Sequence, residues 1–194
     1  MKTSLKLLLI AFCVFTYTHT FHNKEDASIL LKKMLEEDQQ LRKEALKQAR
    51  EFSKPLSECM QTMCVDELNK QHIITIKKII NLYGWPKLSE FDEESCAAAW
   101  IIVQHTDDIE FQKKSLELMQ ELPSHEINLS WIAYLYDRIQ TNQSKPQRYA
   151  TQINDEGISY EIENPEEVDK RRLAMGLKPL EDYIKLCKQH LNIK

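Results

Sequence analysis

Glu93-Glu94-Ser95-Cys96-Ala97-Ala98-Ala99-Trp100-Ile101-Ile102-Val103-Gln104-His105-Thr106 contains seven successive residues, Ala97 to Val103, with no polar member. A stretch of that kind is buried all round when it is helical, so residues 93–106 are expected to form the central helix. It stops abruptly in Gln104-His105. Polar groups at the end of a core element are costly unless they are satisfied or used, so this end is a candidate site.

Amphipathic helices are predicted on both sides. Downstream, residues 109–122 place Phe111, Leu116 and Met119 on one face and end at Pro123; Asn128 can cap a helix over 128–141. Upstream, residues 57–83 carry Ile73, Ile76, Ile80 and Tyr83, with a stop at Gly84-Trp85-Pro86. Residues 26–52 read as a long charged helix with the thin stripe Leu31, Met34, Leu41, Ala45, Phe52. Three glycines and six prolines in 194 residues leave too few turns for an extensive β fold.

One segment departs from the helical pattern. Gln147, Tyr149, Thr151 and Ile153 alternate with Arg148, Ala150 and Gln152, and Asn154-Asp155-Glu156-Gly157 leads to Ile158, Tyr160 and Ile162. This predicts a small β-hairpin over 147–162. Asn164-Pro165-Glu166-Glu167 then starts a short helix ended by Gly176, and Pro179 opens the last one. The expected fold is mainly α: a single helical domain of six to seven helices with one hairpin. The 93–106 helix would pack against 66–83, 109–122 and 128–141.

The first residues read as a secretory signal. Lys2 and Lys6 flank the start of the apolar run Leu7 to Phe15, and Thr16-Tyr17-Thr18-His19-Thr20 follows. The run is short for a membrane span, and Phe12 before Cys13 is bulky for a lipoprotein cleavage site. Cleavage is expected near 18–22, giving a secreted or periplasmic protein with no integral membrane span. The organisation is then a signal over 1–21, a long helix over 22–56 and a helical domain over 57–194. Cleavage moves the formal charge from −4 to −6, and no basic block remains to follow a phosphate backbone, which argues against nucleic acid. Cys59, Cys64, Cys96 and Cys187 allow one or two disulfides or a set of buried thiols.

The candidate chemistry lies at helix ends. Residues 131, 135 and 138 share a helix face, so Arg138 follows Trp131 and Leu135 inward, as a paired structural charge or as an anion-binding group. His105, at the negative end of a helix dipole, is suited to acid–base work or to capping. Gln147 to Gln152 form either a polar ligand-holding ribbon or an edge exposed to solvent. Arg171 and Arg172 follow Val168 by three and four residues and read first as a solvated pair, one of which can turn inward. There is no phosphate loop, no Gly-x-Ser-x-Gly elbow and no His-Glu-x-x-His or Cys-x-x-Cys pair, so no metal or cofactor is implied.

With these residues in view, the chain resembles a family of uncharacterised bacterial proteins, a domain of unknown function. The resemblance is carried by Gly84-Trp85-Pro86, Ala98-Ala99-Trp100 with Gln104-His105, Tyr134-Leu135-Tyr136-Asp137-Arg138, Gln147-x-Tyr149-x-Thr151-Gln152, and Val168-Asp169-x-Arg171-Arg172 before Gly176-Leu177. It covers most of residues 66–184, with the first helix outside the shared part. Members usually have Tyr-Gly-Thr-Gln, and Ala150 replaces that glycine here. The resemblance implies a helical domain with these polar residues as its site, and no assigned reaction.

Two readings follow. In the first, an exported protein uses His105 as acid–base group and Arg138 to hold an anionic or polar small ligand, in hydrolysis or transfer. Gln104, Asp137, Gln147, Tyr149, Thr151, Gln152 and Arg171 would bind that ligand. In the second, a non-catalytic envelope protein binds a partner, or itself, through residues 26–52.

Overall fold

Asn23 opens the first helix, its side chain accepting the Asp26 backbone N–H at 2.8 Å, and Ser53 closes it in the left-handed conformation at φ 51°. The computed structural model describes residues 21–53, 56–63, 65–154 and 159–191. The expected signal, residue Cys64 and the centre of the expected hairpin turn lie outside these. Among the described residues there are eight α-helices: α1 (Lys24–Phe52), α2 (Leu56–Thr62), α3 (Val65–Tyr83), α4 (Glu93–Gln104), α5 (Ile109–Gln120), α6 (Leu129–Asn142), α7 (Val168–Ala174) and α8 (Leu180–Leu191). The count exceeds the expected six to seven because residues 57–83 do not form one helix. A turn at Met63 separates α2 from α3.

The described residues fall into two compact units. The first comprises the chain through Pro86 together with Glu90–His105; the second comprises Lys87–Ser89 and the chain from Thr106 onward. No glycine- or proline-rich linker marks this division in the sequence, which reads as one domain from residue 57.

In the first unit, α4 packs against α1 and α3. Asp92 caps α4 by accepting the Ser95 N–H at 3.1 Å. Ala98, Ala99 and Val103 are fully buried, but Ala97, Trp100 and Ile101 are only partly so, and the helix is not buried all round as its uniform apolarity suggests. The first helix is an integral part of this core. Ala27, Leu30, Leu31 and Met34 are buried along it, and each of the two leucines and the methionine contributes roughly 1.5–3 kcal/mol by leaving water. Its predicted stripe fails at the far end, where Phe52 is 61% exposed.

In the second unit, α5 and α6 pack together, and α7 meets α8. Asp108 and Asn128 cap α5 and α6 as their positions suggest, accepting the N–H of Phe111 and Ser130, each at 3.0 Å. Asn164 does not cap: it sits at φ 42° and its side chain makes no capping bond to the 3-10 turn Pro165–Glu167.

Among the described residues the expected β-hairpin is absent. Residues 147–162 form no strand among the described residues, only isolated bridges between Gln147 and Ile162 and between Ile153 and Ser159. The reason is local. Ala150 has φ +53°, which breaks the extended run, and the backbone groups of 148–152 are taken by side chains rather than by a neighbouring strand.

Candidate functional site

In the first unit the polar centre is a carboxylate that sequence reasoning passed over. Asp38 lies on α1 four residues after Met34, on the buried stripe, and is 1% exposed. His105, the C-cap residue of α4, brings its imidazole Nδ1 to 3.1 Å from Asp38 Oδ2. Arg42 donates from Nε to Asp38 Oδ1 at 2.7 Å, and Gln39 donates to Oδ2 at 3.0 Å. Burial pushes the Asp38 carboxyl up, but the hydrogen bond and charge of His105, with those of Arg42, outweigh it and hold the group below its ordinary value. The preceding residue makes a second pair of the same type: Glu37 Oε2 lies 3.3 Å from Nε2 of the buried His72. Gln104, expected beside His105, is buried as the last residue of α4.

The signal for Asp38 was present. A charged residue on an apolar stripe is the same anomaly that singled out Arg138, and Asp38 shares a face with Met34, Leu41 and Ala45.

In the second unit the expected ligand-binding residues come together, but around each other. Asp137, on α6 and fully buried, accepts the N–H of Arg148 at 2.8 Å, of Tyr149 at 3.1 Å and of Thr151 at 2.9 Å, and the Thr151 hydroxyl at 2.9 Å. Burial pushes its carboxyl above the ordinary value, against the pull of these donors. Gln147 is also fully buried. Its Oε1 accepts the Gln152 N–H at 2.9 Å, and its Nε2 donates to the Gln152 carbonyl, the Ser159 hydroxyl and the Tyr160 carbonyl. Gln152 Nε2 donates to Thr151 Oγ1 at 3.0 Å. Tyr149 is half-buried, its ring edge-on to Tyr136 at 5.9 Å.

Two arginines of α7 clamp the same segment. Arg171 donates from Nε to the Arg148 carbonyl at 2.7 Å and from Nη2 to the carbonyls of Glu163 and Asn164. Arg172 is 1% exposed, which overturns the solvated-pair expectation. It donates from Nε to the Lys178 carbonyl and from Nη1 to those of Tyr149 and Ala150, with the Tyr183 ring 4.8 Å away. Its i+4 spacing from the buried Val168 was the available clue. The segment 147–152 is therefore a loop held on one side by a buried carboxylate and on the other by guanidinium groups. It is neither an extended ribbon nor a solvent-facing edge.

This geometry explains the glycine that the family resemblance puts at position 150. The position has left-handed φ, which costs a residue with a Cβ about 1–2 kcal/mol, so glycine there has a conformational reason that involves no ligand. Arg138 is partly buried on α6. His105 belongs to the first unit and Arg138 to the second. Cys59 and Cys96 are buried thiols and Cys187 is partly exposed. Among the described residues no group of three or more His, Cys, Asp or Glu is placed to hold a metal ion, and no helix is long and apolar enough to cross a membrane.

Fold and polar clusters define a mainly helical protein whose loops and helix ends are organised by buried carboxylates. The chain belongs to the family of unknown function DUF6624, whose model matches residues 25–194. No curated protein and no solved structure matches it. The match starts at residue 25, so α1 is part of the shared domain and not an addition to it. Its contribution of Leu30, Leu31, Met34 and Asp38 to the first unit's interior gives the physical reason.

Proposed function

We propose that this is an exported protein whose first unit carries a general acid–base site centred on His105, acting in hydrolysis or transfer on a polar or anionic small ligand. The observation that carries the reading is the 3.1 Å contact between His105 Nδ1 and the nearly inaccessible Asp38, while the imidazole itself keeps 22% of its surface exposed. A buried carboxylate on Nδ1 orients the ring, fixes its tautomer and stabilises the imidazolium formed when Nε2 takes a proton. Asp38 is then a positioning residue and Arg42 keeps it ionised. Arg138 is retained as an anion-binding group in its own right. The residues around Asp137 are assigned a structural role, because their polar atoms bond one another.

The test is a thermal-shift screen of small anionic metabolites and cell-wall fragments against wild type, His105→Gln and Arg138→Ala, followed by mass spectrometry of the stabilising compounds. A compound consumed by wild type but not by folded His105→Gln supports the reading. Equal consumption by both refutes it. N-terminal sequencing of the protein from its own host tests export: a start between residues 18 and 22 is expected.

A second reading has its own observation. Two large apolar side chains of α1 are exposed, Ile29 by 63% near its start and Phe52 by 61% at its end, and each offers apolar surface to a partner or a second copy. Truncating α1 would remove core residues, so the better test is Ile29→Glu with Phe52→Ser. Loss of a complex at unchanged melting temperature would favour this reading.

A further inference from the structure

A cleft of about 640 Å³ opens in the second unit, within the range of small-molecule sites, about 300–1,000 Å³. Ile153, Leu177 and Leu186 supply aliphatic wall, and the rings of Tyr134 and Tyr183 meet edge to face at 6.3 Å. Arg172 also lines it, although only 1% of that residue is exposed. Its hydrogen bonds use Nε, at 2.7 Å to the Lys178 carbonyl, and Nη1, at 2.6 and 3.1 Å to the Tyr149 and Ala150 carbonyls. Every one of those partners is neutral, and so is the Tyr183 ring against it. Among the described residues no carboxylate lies within ion-pairing distance of the guanidinium.

Asp169 and Asp137 act on it only from beyond pairing distance, and a buried cation with no carboxylate in contact is costly, because carbonyl dipoles return only part of the hydration it loses. Nη2, which takes no part in the three bonds, has donors to offer. Planar guanidinium donors match a carboxylate better than they match a spherical ion. The Tyr183 hydroxyl is fixed nearby by donating to the Thr151 carbonyl at 2.6 Å, so the wall is pre-organised. We propose that this cleft binds a small organic carboxylate, its charge against Arg172 and its apolar or aromatic body between Tyr134, Tyr183 and the aliphatic wall. The site is separate from His105 and stands or falls independently of any acid–base role there.

The test uses the full chain and three probes in calorimetric titration: benzoate, benzyl alcohol (the same body without charge) and inorganic phosphate (charge without the body). Benzoate is expected to bind saturably and about tenfold more tightly than either of the others. Cys187 lines the cleft and is partly exposed, so it serves as a reporter. Saturating benzoate should slow its alkylation by iodoacetamide roughly fivefold, read on its own peptide by mass spectrometry. Leu186 is 43% exposed on α8, so Leu186→Trp fills the cleft without disturbing a core position and should abolish both effects. Benzyl alcohol binding as tightly as benzoate would overturn the proposal, since the cation would then be unused. So would benzoate binding that survives Leu186→Trp. Arg172→Lys, if its melt shows a folded protein, must also lose benzoate; if it does not fold, the Leu186→Trp and benzyl alcohol results decide.

Discussion

Asp137 Oδ2 accepts both the backbone N–H and the side-chain hydroxyl of Thr151, each at 2.9 Å, from a residue fourteen positions away. Together with the N–H groups of Arg148 and Tyr149, this makes one carboxylate the anchor of an entire loop. Replacing it by asparagine keeps the shape but can turn an NH2 group towards those donors. Asp137→Asn is expected to lower stability by about 2–3 kcal/mol, the cost of unsatisfied buried donors to a charged acceptor. Urea unfolding with an unchanged m-value would measure it, and a loss below about 0.5 kcal/mol would remove the anchoring role.

Position 150 separates a conformational from a steric account of the family's glycine. Ala150 is fully buried at φ +53°. Ala150→Gly removes left-handed strain but also removes a buried methyl and adds chain entropy, so the net change should stay within about 1 kcal/mol. Ala150→Val, β-branched in the same backbone, should cost more than about 2 kcal/mol. Paired thermal melts of the two variants check the contrast.

Asp38 links the first unit to pH. Its folded-state pKa is depressed below the ordinary 3.8. The unfolded chain therefore binds the proton more readily, and the stabilisation from the pairs with His105 and Arg42 is fully present above that value. It is lost as pH falls through the depressed one. Asp38→Asn should remove this acid limb, giving a stability profile that is flatter below the ordinary carboxyl value of 3.8. Denaturation midpoints measured across that window test it; parallel profiles for wild type and variant would contradict the linkage.

Tyr183 offers a smaller, local measurement. Its hydroxyl donates to the Thr151 carbonyl at 2.6 Å. Tyr183→Phe should cost about 1 kcal/mol, typical of one buried neutral hydrogen bond, and should leave the Asp137 contacts intact. Amide exchange at Thr151 is expected to stay protected in this variant and to become fast in Asp137→Asn.

The helices were legible from residue order because each rests on short-range rules. The apolar run Ala97 to Val103 had to turn most of its surface inward, although Ala97, Trp100 and Ile101 are only partly buried, and Asp108 and Asn128 could be recognised as caps from the residues that follow them. The helical class follows from such patterns and holds, and the family expected from the motif resemblance is shown by the family match. The loop at 147–152 misled for the same reason. Its alternation is that of a strand, but its hydrogen-bonding partners are Asp137 and Arg172, far away in the chain. Asp38 was passed over within the charged helix 26–52 because its partner, His105, is sixty-seven residues distant.

Sequence by itself determined that the chain is mainly helical and where most of the helices lie, since capping, periodicity and apolar content act within a turn or two of the chain. Only the tertiary structure decided what each buried charge does. Whether a carboxylate anchors a loop, as Asp137 does, or orients an imidazole, as Asp38 does, depends on which distant groups share its low-dielectric surroundings. Residue order does not encode that choice locally.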